Sequence, residues 1–177
     1  HIGSWKTDDE EPEDDAHYEH LIASIETVLA ETDGDAKILI ENMGTRKIGK
    51  DLGEVGRIIK DLDGHERLGV CLDTCHLHAA GFDLSTTKSY DEFFVEFDEQ
   101  IGLERLAVVH VNDSRDDLGS LRDRHDNIGE GSVGEAVFKN IVTKSPTKDL
   151  PLILETPGFG GGGPDAKNIE RLRSYAN

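Results

Sequence analysis

Four short apolar runs in this chain each stop at a residue able to hold a divalent metal, and that placement limits the folds open to it. The runs are residues 37–41, 68–73, 106–110 and 150–155, ending at Glu41, Asp73, His110 and Glu155. Each is nearly continuous in apolar residues rather than alternating, as expected of a strand buried on both faces. Between the runs lie stretches long enough for a helix and two loops, the alternation of βα units joined by right-handed crossovers. In a barrel of parallel strands the side chains at the carboxyl ends gather around one mouth, so the four terminal residues become neighbours there. The expected fold class is α/β. Four strands do not close a barrel of the usual eight, so the chain reads as part of one.

Helical periodicity fills the intervals. Leu21, Ile22, Ile25, Val28 and Leu29 recur at helical spacing and predict a helix over residues 16–30, preceded by an acidic run over residues 7–15. A second helix is expected over residues 52–62 with Val55, Ile58 and Ile59 inward, and a third over 90–100 carrying Phe93, Phe94 and Phe97. A fourth is expected over residues 133–142. The glycines at 160–163 break the chain before a closing helix over residues 165–175, where Pro164 suits a helix start. No internal repeat or second domain is evident, and residues 1–177 read as one domain. With His1 rather than Met in first place, that domain reads as truncated at its amino end, and its uncovered strand edges imply a missing partner segment.

No stretch approaches the ~20 apolar residues of a membrane span, and no basic, apolar leader opens the chain. The expected setting is soluble and cytoplasmic. Asp and Glu total 37 against 19 Lys and Arg, a net charge of −18. Such a balance argues against gripping nucleic acid by clustered Lys and Arg alone. Divalent ions reverse the local sign, however, so an acidic exterior can coexist with an anion-binding centre. Cys71 and Cys75 make no disulfide framework and read as packing residues.

Two further pairs carry chemistry. Asp73-Thr74-Cys75-His76 places a carboxylate and an imidazole within one turn of a strand end. Asp123-Arg124-His125 puts the same pair on one side of an extended segment in the long loop 112–131, followed by the flexible Gly129-Glu130-Gly131. His17 and His20 read as surface residues, and His65 and His78 as structural or exposed.

These residues carry a resemblance. Ile40-Glu41-Asn42, Gly69-Val70-Cys71-Leu72-Asp73-Thr74-Cys75-His76, His110-Val111-Asn112-Asp113, Asp123-Arg124-His125 with Asn127-Ile128-Gly129-Glu130-Gly131, and Leu152-Ile153-Leu154-Glu155-Thr156 resemble endonuclease IV. That family comprises zinc-dependent apurinic/apyrimidinic endonucleases built on a TIM (β/α)8 barrel. The resemblance runs over the whole chain and is specific in order and spacing. The opening His1-Ile2-Gly3-Ser4 is similar to the family's His-Pro-Gly-Ser segment after the fourth strand, with Ile2 in place of Pro and Trp5 in place of a second His. The chain would then hold strands five to eight.

The resemblance implies a three-zinc site. His1 and Glu41 would bind the first zinc, where the family adds a histidine from the amino-terminal portion. Glu41 would bridge to a second zinc shared with Asp73, His110 and Glu155, and His76, Asp123 and His125 would bind the third. Bound zinc lowers the pKa of water from 15.7 to about 7, which supplies hydroxide at neutral pH. Glu41 and Glu155 would orient that nucleophile. The implied reaction is hydrolysis of the phosphodiester 5′ to an abasic site in duplex DNA, leaving a 3′-hydroxyl and a 5′-deoxyribose phosphate. Arg115, Arg122 and Arg124 in the long loop suit either phosphate contact or a solvated loop. Two alternatives stand beside this reading. One is a sugar isomerase or epimerase of related barrel type using one divalent ion; the other is a fragment inactive without the amino-terminal half.

Overall fold

The computed structural model describes His1, residues 15–45 and residues 47–176. The acidic run up to residue 14, and Ile2, Gly3, Ser4 and Trp5 of the opening motif, lie outside the described residues. In chain order the elements are α1 (Asp15–Glu31), β1 (Ile38–Glu41), α2 (Leu52–Asp61), β2 (Leu68–Asp73), α3 (Thr74–Ala80), α4 (Thr87–Gln100), β3 (Leu106–His110), β4 (Asp113–Ser114), β5 (His125–Asp126), α5 (Glu135–Thr143), β6 (Leu152–Ile153) and α6 (Ala166–Ser174).

Strands β1, β2, β3 and β6 form a parallel four-stranded sheet in that order, the partial barrel expected from the strand-and-helix alternation. The register matters for the mouth. Glu41 stands beside Cys71 and Asp73 beside His110, so these side chains share one face of the sheet. A shift between Val70 and Cys71 brings β2 and β3 into that alignment. Every residue of β2 is buried, as its unbroken apolar sequence predicts.

The helices cover the sheet through the residues their periodicity marks. Val55, Ile58 and Ile59 of α2 and Tyr90, Phe93, Phe94 and Phe97 of α4 are all buried in one core. Removing a large apolar side chain from water stabilises by about 1.5–3 kcal/mol. Gly56 lets α2 approach the end of α4 closely, because a Cβ there would sit 2.6 Å from the Gln100 carbonyl oxygen. Asp51 caps α2 by accepting from the Glu54 amide, and Thr86 and Ser89 form a capping box on α4. In α1, Tyr18, Leu21 and Ile25 face inward, while Val28 lies on the exposed side.

Four details differ from the sequence reading. The last strand is shorter than 150–155, because Pro151 has no N–H to donate and the Glu155 amide is taken by the Asn112 side chain at 2.8 Å instead of by a strand. The closing helix begins after Asp165, whose carboxylate accepts from the Asn168 amide, so Pro164 precedes the cap rather than opening the helix. The loop 112–131 contains the antiparallel pair β4–β5. Directly after β2, the seven-residue α3 escaped notice: Thr74 to Ala79 are all buried, so it has no apolar stripe to read.

Candidate metal centre

Strand ends deliver the first group of ligands. Glu41 at the end of β1, Asp73 at the end of β2, His110 at the end of β3 and Glu155 just past β6 bring one ligand atom each within 4.8 Å of one another. His110 Nδ1 lies 3.1 Å from Glu41 Oε1 and 3.2 Å from Glu155 Oε2. Beside this group, His1 Nε2 stands 3.7 Å from Glu41 Oε2, and His1, Glu41 and His76 form a second cluster. The third group sits on the loop hairpin. Asp123 Oδ1 lies 3.1 Å from His76 Nε2 and 3.3 Å from His125 Nε2, and Asp73 adjoins both rings. All eight ligand positions expected at the mouth are thus brought together.

Polar neighbours fix these side chains. Asp73 caps α3 by accepting from the His76 amide at 2.9 Å, which holds the strand end and the helix start in one geometry. His76 Nδ1 faces the Asn42 carbonyl oxygen at 2.8 Å; donating there leaves Nε2 as the metal-facing nitrogen. The fully buried Asn112 links two ligands: its Nδ2 donates to Asp73 Oδ2 at 2.6 Å, and its Oδ1 accepts from the Glu155 amide. Asn42 Oδ1 accepts from the Asp73 amide at 2.7 Å. The sequence reading passed over both asparagines as agents of the site. Each directly follows or lies two residues beyond a strand-end ligand, which is the signal that marks them.

Electrostatics show what the cluster lacks. Burial pushes the Asp73 carboxyl up, although His76 and His125 oppose it. Burial works against a charged His76, yet Asp123, Asp73 and Glu41 raise it to about 9. The Cys71 sulfur and the Glu41 carboxylate together draw His110 up to about 11. For Glu41, burial alone would raise the carboxyl, but the His110 hydrogen bond and the charges of His76 and His110 hold it below its ordinary value. The neighbouring His125 and His76 hold Asp123 far below the usual carboxylate range. Packed carboxylates that draw protons onto nearby imidazoles are the signature of a centre short of positive charge.

A divalent metal fits these residues. His76 Nε2 and His125 Nε2 are buried, and their nearest charged neighbour is the Asp123 carboxylate at 3.1 and 3.3 Å, itself a group able to share a metal with both rings. Four imidazoles and four carboxylates are the donor set of zinc or a similar ion. The two cysteines are buried, as expected of packing residues, but both touch the site: Cys71 contacts His110, and Cys75 lies within ligand distance of Asp123 and His125. His78 is structural, its Nε2 lying 3.1 Å from Ser132 Oγ. His20 is exposed and His17 half-buried. Arg115, Arg122 and Arg124 pair with Asp126 and Asp116 at the rim, and their side chains remain more than half exposed.

Parallel strands with helical cover and a mouth ringed by imidazoles and carboxylates define a partial TIM barrel with a candidate metal centre. The chain belongs to the family described as "Xylose isomerase-like TIM barrel", whose model matches residues 1–175. Within that family its relatives are endonuclease IV proteins. "Probable endonuclease 4" of Halothermothrix orenii is 41% identical over 155 residues, covering 86% of this chain and 56% of that protein. The Nitrosopumilus maritimus "Probable endonuclease 4" is 37% identical over 178 residues, covering 99% of this chain and 62% of the relative. The crystal structure of endonuclease IV from Thermus thermophilus superposes with a TM-score of 0.73 at 33% identity, over 89% of this chain and 56% of that one. The chain therefore spans about half to three fifths of the length of the curated relatives it matches.

Proposed function

We propose that this chain is the carboxyl-terminal portion of a DNA repair endonuclease, forming one domain, that hydrolyses the phosphodiester 5′ to abasic sites in duplex DNA. The products would be a 3′-hydroxyl and a 5′-deoxyribose phosphate. The observation that carries this reading is the convergence of His1, Glu41, Asp73, His76, His110, Asp123, His125 and Glu155, drawn from the first residue, four strand ends, helix α3 and a hairpin, at one mouth. In this reading zinc would be held at three positions: by His1 and Glu41; by Glu41, Asp73, His110 and Glu155; and by His76, Asp123 and His125. Metal bound there supplies Lewis-acid charge to the phosphate and lowers the pKa of water.

The chain's own residues do the positioning. Glu155, with a side chain 45% exposed, and Glu41 both approach His110 Nδ1, at 3.2 and 3.1 Å, so the two carboxylates stand together at the mouth where they would orient an attacking water. Asn112 holds the Glu155 backbone and Asp73 together, which limits how far that carboxylate strays from the reacting phosphate. The hairpin group supports this reading over the isomerase alternative, which needs one metal only. No helix among the described residues is long and apolar enough to cross a membrane, which agrees with a cytoplasmic repair role.

Incision of a duplex carrying one abasic-site analogue tests the proposal, with this chain alone and with an amino-terminal half from a relative supplied. Cutting 5′ to the lesion supports it; a single bound metal and no cutting in either form would overturn it. Glu155→Gln in the active form should lower kcat by about 10²–10⁴-fold with the fold intact. Undiminished incision would remove Glu155 from its role.

A further inference from the structure

We infer that Asp113, which carries no ligand atom to the site, is the positioning residue for the metal position formed by His76, Asp123 and His125; the inference rests on the metal reading above. Asp113 is fully buried. Its Oδ2 accepts from the Gly129 and Gly131 amides at 2.8 and 3.0 Å, and its Oδ1 from the Ser114 and Val133 amides at 2.9 and 3.0 Å. One carboxylate thus takes four backbone donors from both ends of the loop that carries two ligands.

Other ties run through the loop, among them the Ser132 amide donating to the Ser114 carbonyl at 2.8 Å and Arg124 pairing with Asp116, but each joins one or two groups where Asp113 takes four. Strand β4 pairs with β5 through Asp113 opposite Asp126 and Ser114 opposite His125, and the Arg115 amide donates to the Arg124 carbonyl. Asp123 and His125 lie on this short hairpin, and the return segment after Gly129 is held to its base by the four amides from which Asp113 accepts, together with the Ser132 amide and hydroxyl on the Ser114 carbonyl. Space at that base is already used up: a Cβ on Gly131 would sit 2.3 Å from the Ser114 carbonyl oxygen and 2.5 Å from Asp113 Oδ1. A charged acceptor with two oxygens is needed to satisfy all four N–H groups. Asparagine turns one of those oxygens into a donor and leaves two backbone N–H groups facing it.

The test is a chelator-competition zinc titration of the full chain, compared among the wild type, Asp113→Asn, Gly131→Ala, His125→Ala and the Asp113→Asn/His125→Ala double variant. Asp113→Asn should weaken one zinc position by about 10–100-fold, the cost typical of losing a residue that orients ligands. Affinity at the position of Glu41, Asp73, His110 and Glu155 should be unchanged. In the His125→Ala background the same substitution should cost nothing further, because the position it serves is already lost. Gly131→Ala crowds the same carboxylate without altering its charge and should weaken the same position, so it decides the matter if Asp113→Asn fails to fold. Wild-type affinity in Asp113→Asn, equal weakening of all positions, or an additive loss in the double variant would each overturn the inference. If His125→Ala itself leaves zinc binding untouched, the metal reading fails and takes the inference with it.

Discussion

At the scale of single residues, protons and metal compete for the same imidazoles. With His76 raised to about 9, the metal-free site holds a proton there at neutral pH, and metal must displace it. Affinity should therefore rise with pH through about 9 as His76 loses its proton and onward towards about 11 as His110 does, with proton release on binding, checked by titration calorimetry in buffers of different ionisation enthalpy. Stability of the metal-free protein runs the other way. A folded pKa above the unfolded ~6.5 stabilises fully below that value and loses the contribution as pH rises through about 9. Denaturant midpoints of metal-stripped protein should fall between pH 6.5 and 9. Asn112→Ala should cost about 10–100-fold in zinc affinity by freeing Asp73 and Glu155 together, measured by the same titration. The strand-end ligands were legible in the sequence because each closes an apolar run. Asn112 is marked only by its place two residues past His110, and Asp113, whose carboxylate orients backbone amides rather than closing an apolar run, carries no such signal.

At the scale of elements, α2 and α4 were readable because each buries one stripe and leaves the rest in water. Phe97 lies in that stripe, fully buried and in ring contact with Phe94. Phe97→Ala should destabilise the fold by about 3–5 kcal/mol, checked by urea denaturation, while the mouth keeps its metal affinity in the folded state. Elements shaped by the site itself were not readable. The short helix α3 is buried all round, beginning at a ligand that doubles as its cap. Strands β4 and β5 are two residues each and are extended by the Arg115 amide on the Arg124 carbonyl, a ladder too short and too polar for any apolar alternation to announce.

At the scale of the molecule, β1 and β6 are the two outer strands of the sheet, and among the described residues each has a strand partner on one side only. Beside β6 lies an apolar groove lined by Val142, Leu152, Leu154, Ile169 and Leu172. Strand edges and apolar grooves of this kind pair with whatever chain is at hand. The isolated chain should self-associate, and Ile169→Lys, at a position 42% exposed, should reduce that association in sedimentation velocity without unfolding it. The net charge of −18 opposes such contacts at low ionic strength, so added salt should favour them.

Strand alignment gives metal uptake a second meaning. Asp73 stands beside His110 and Glu41 beside Cys71, so sliding one strand by a single residue would turn its ligand to the opposite face of the sheet. A slipped chain would present an incomplete set of donors and bind the ion poorly. An ion held as proposed would thus proofread the sheet, adding its binding free energy to the correctly aligned form and withholding it from near-misses of similar hydrophobic content.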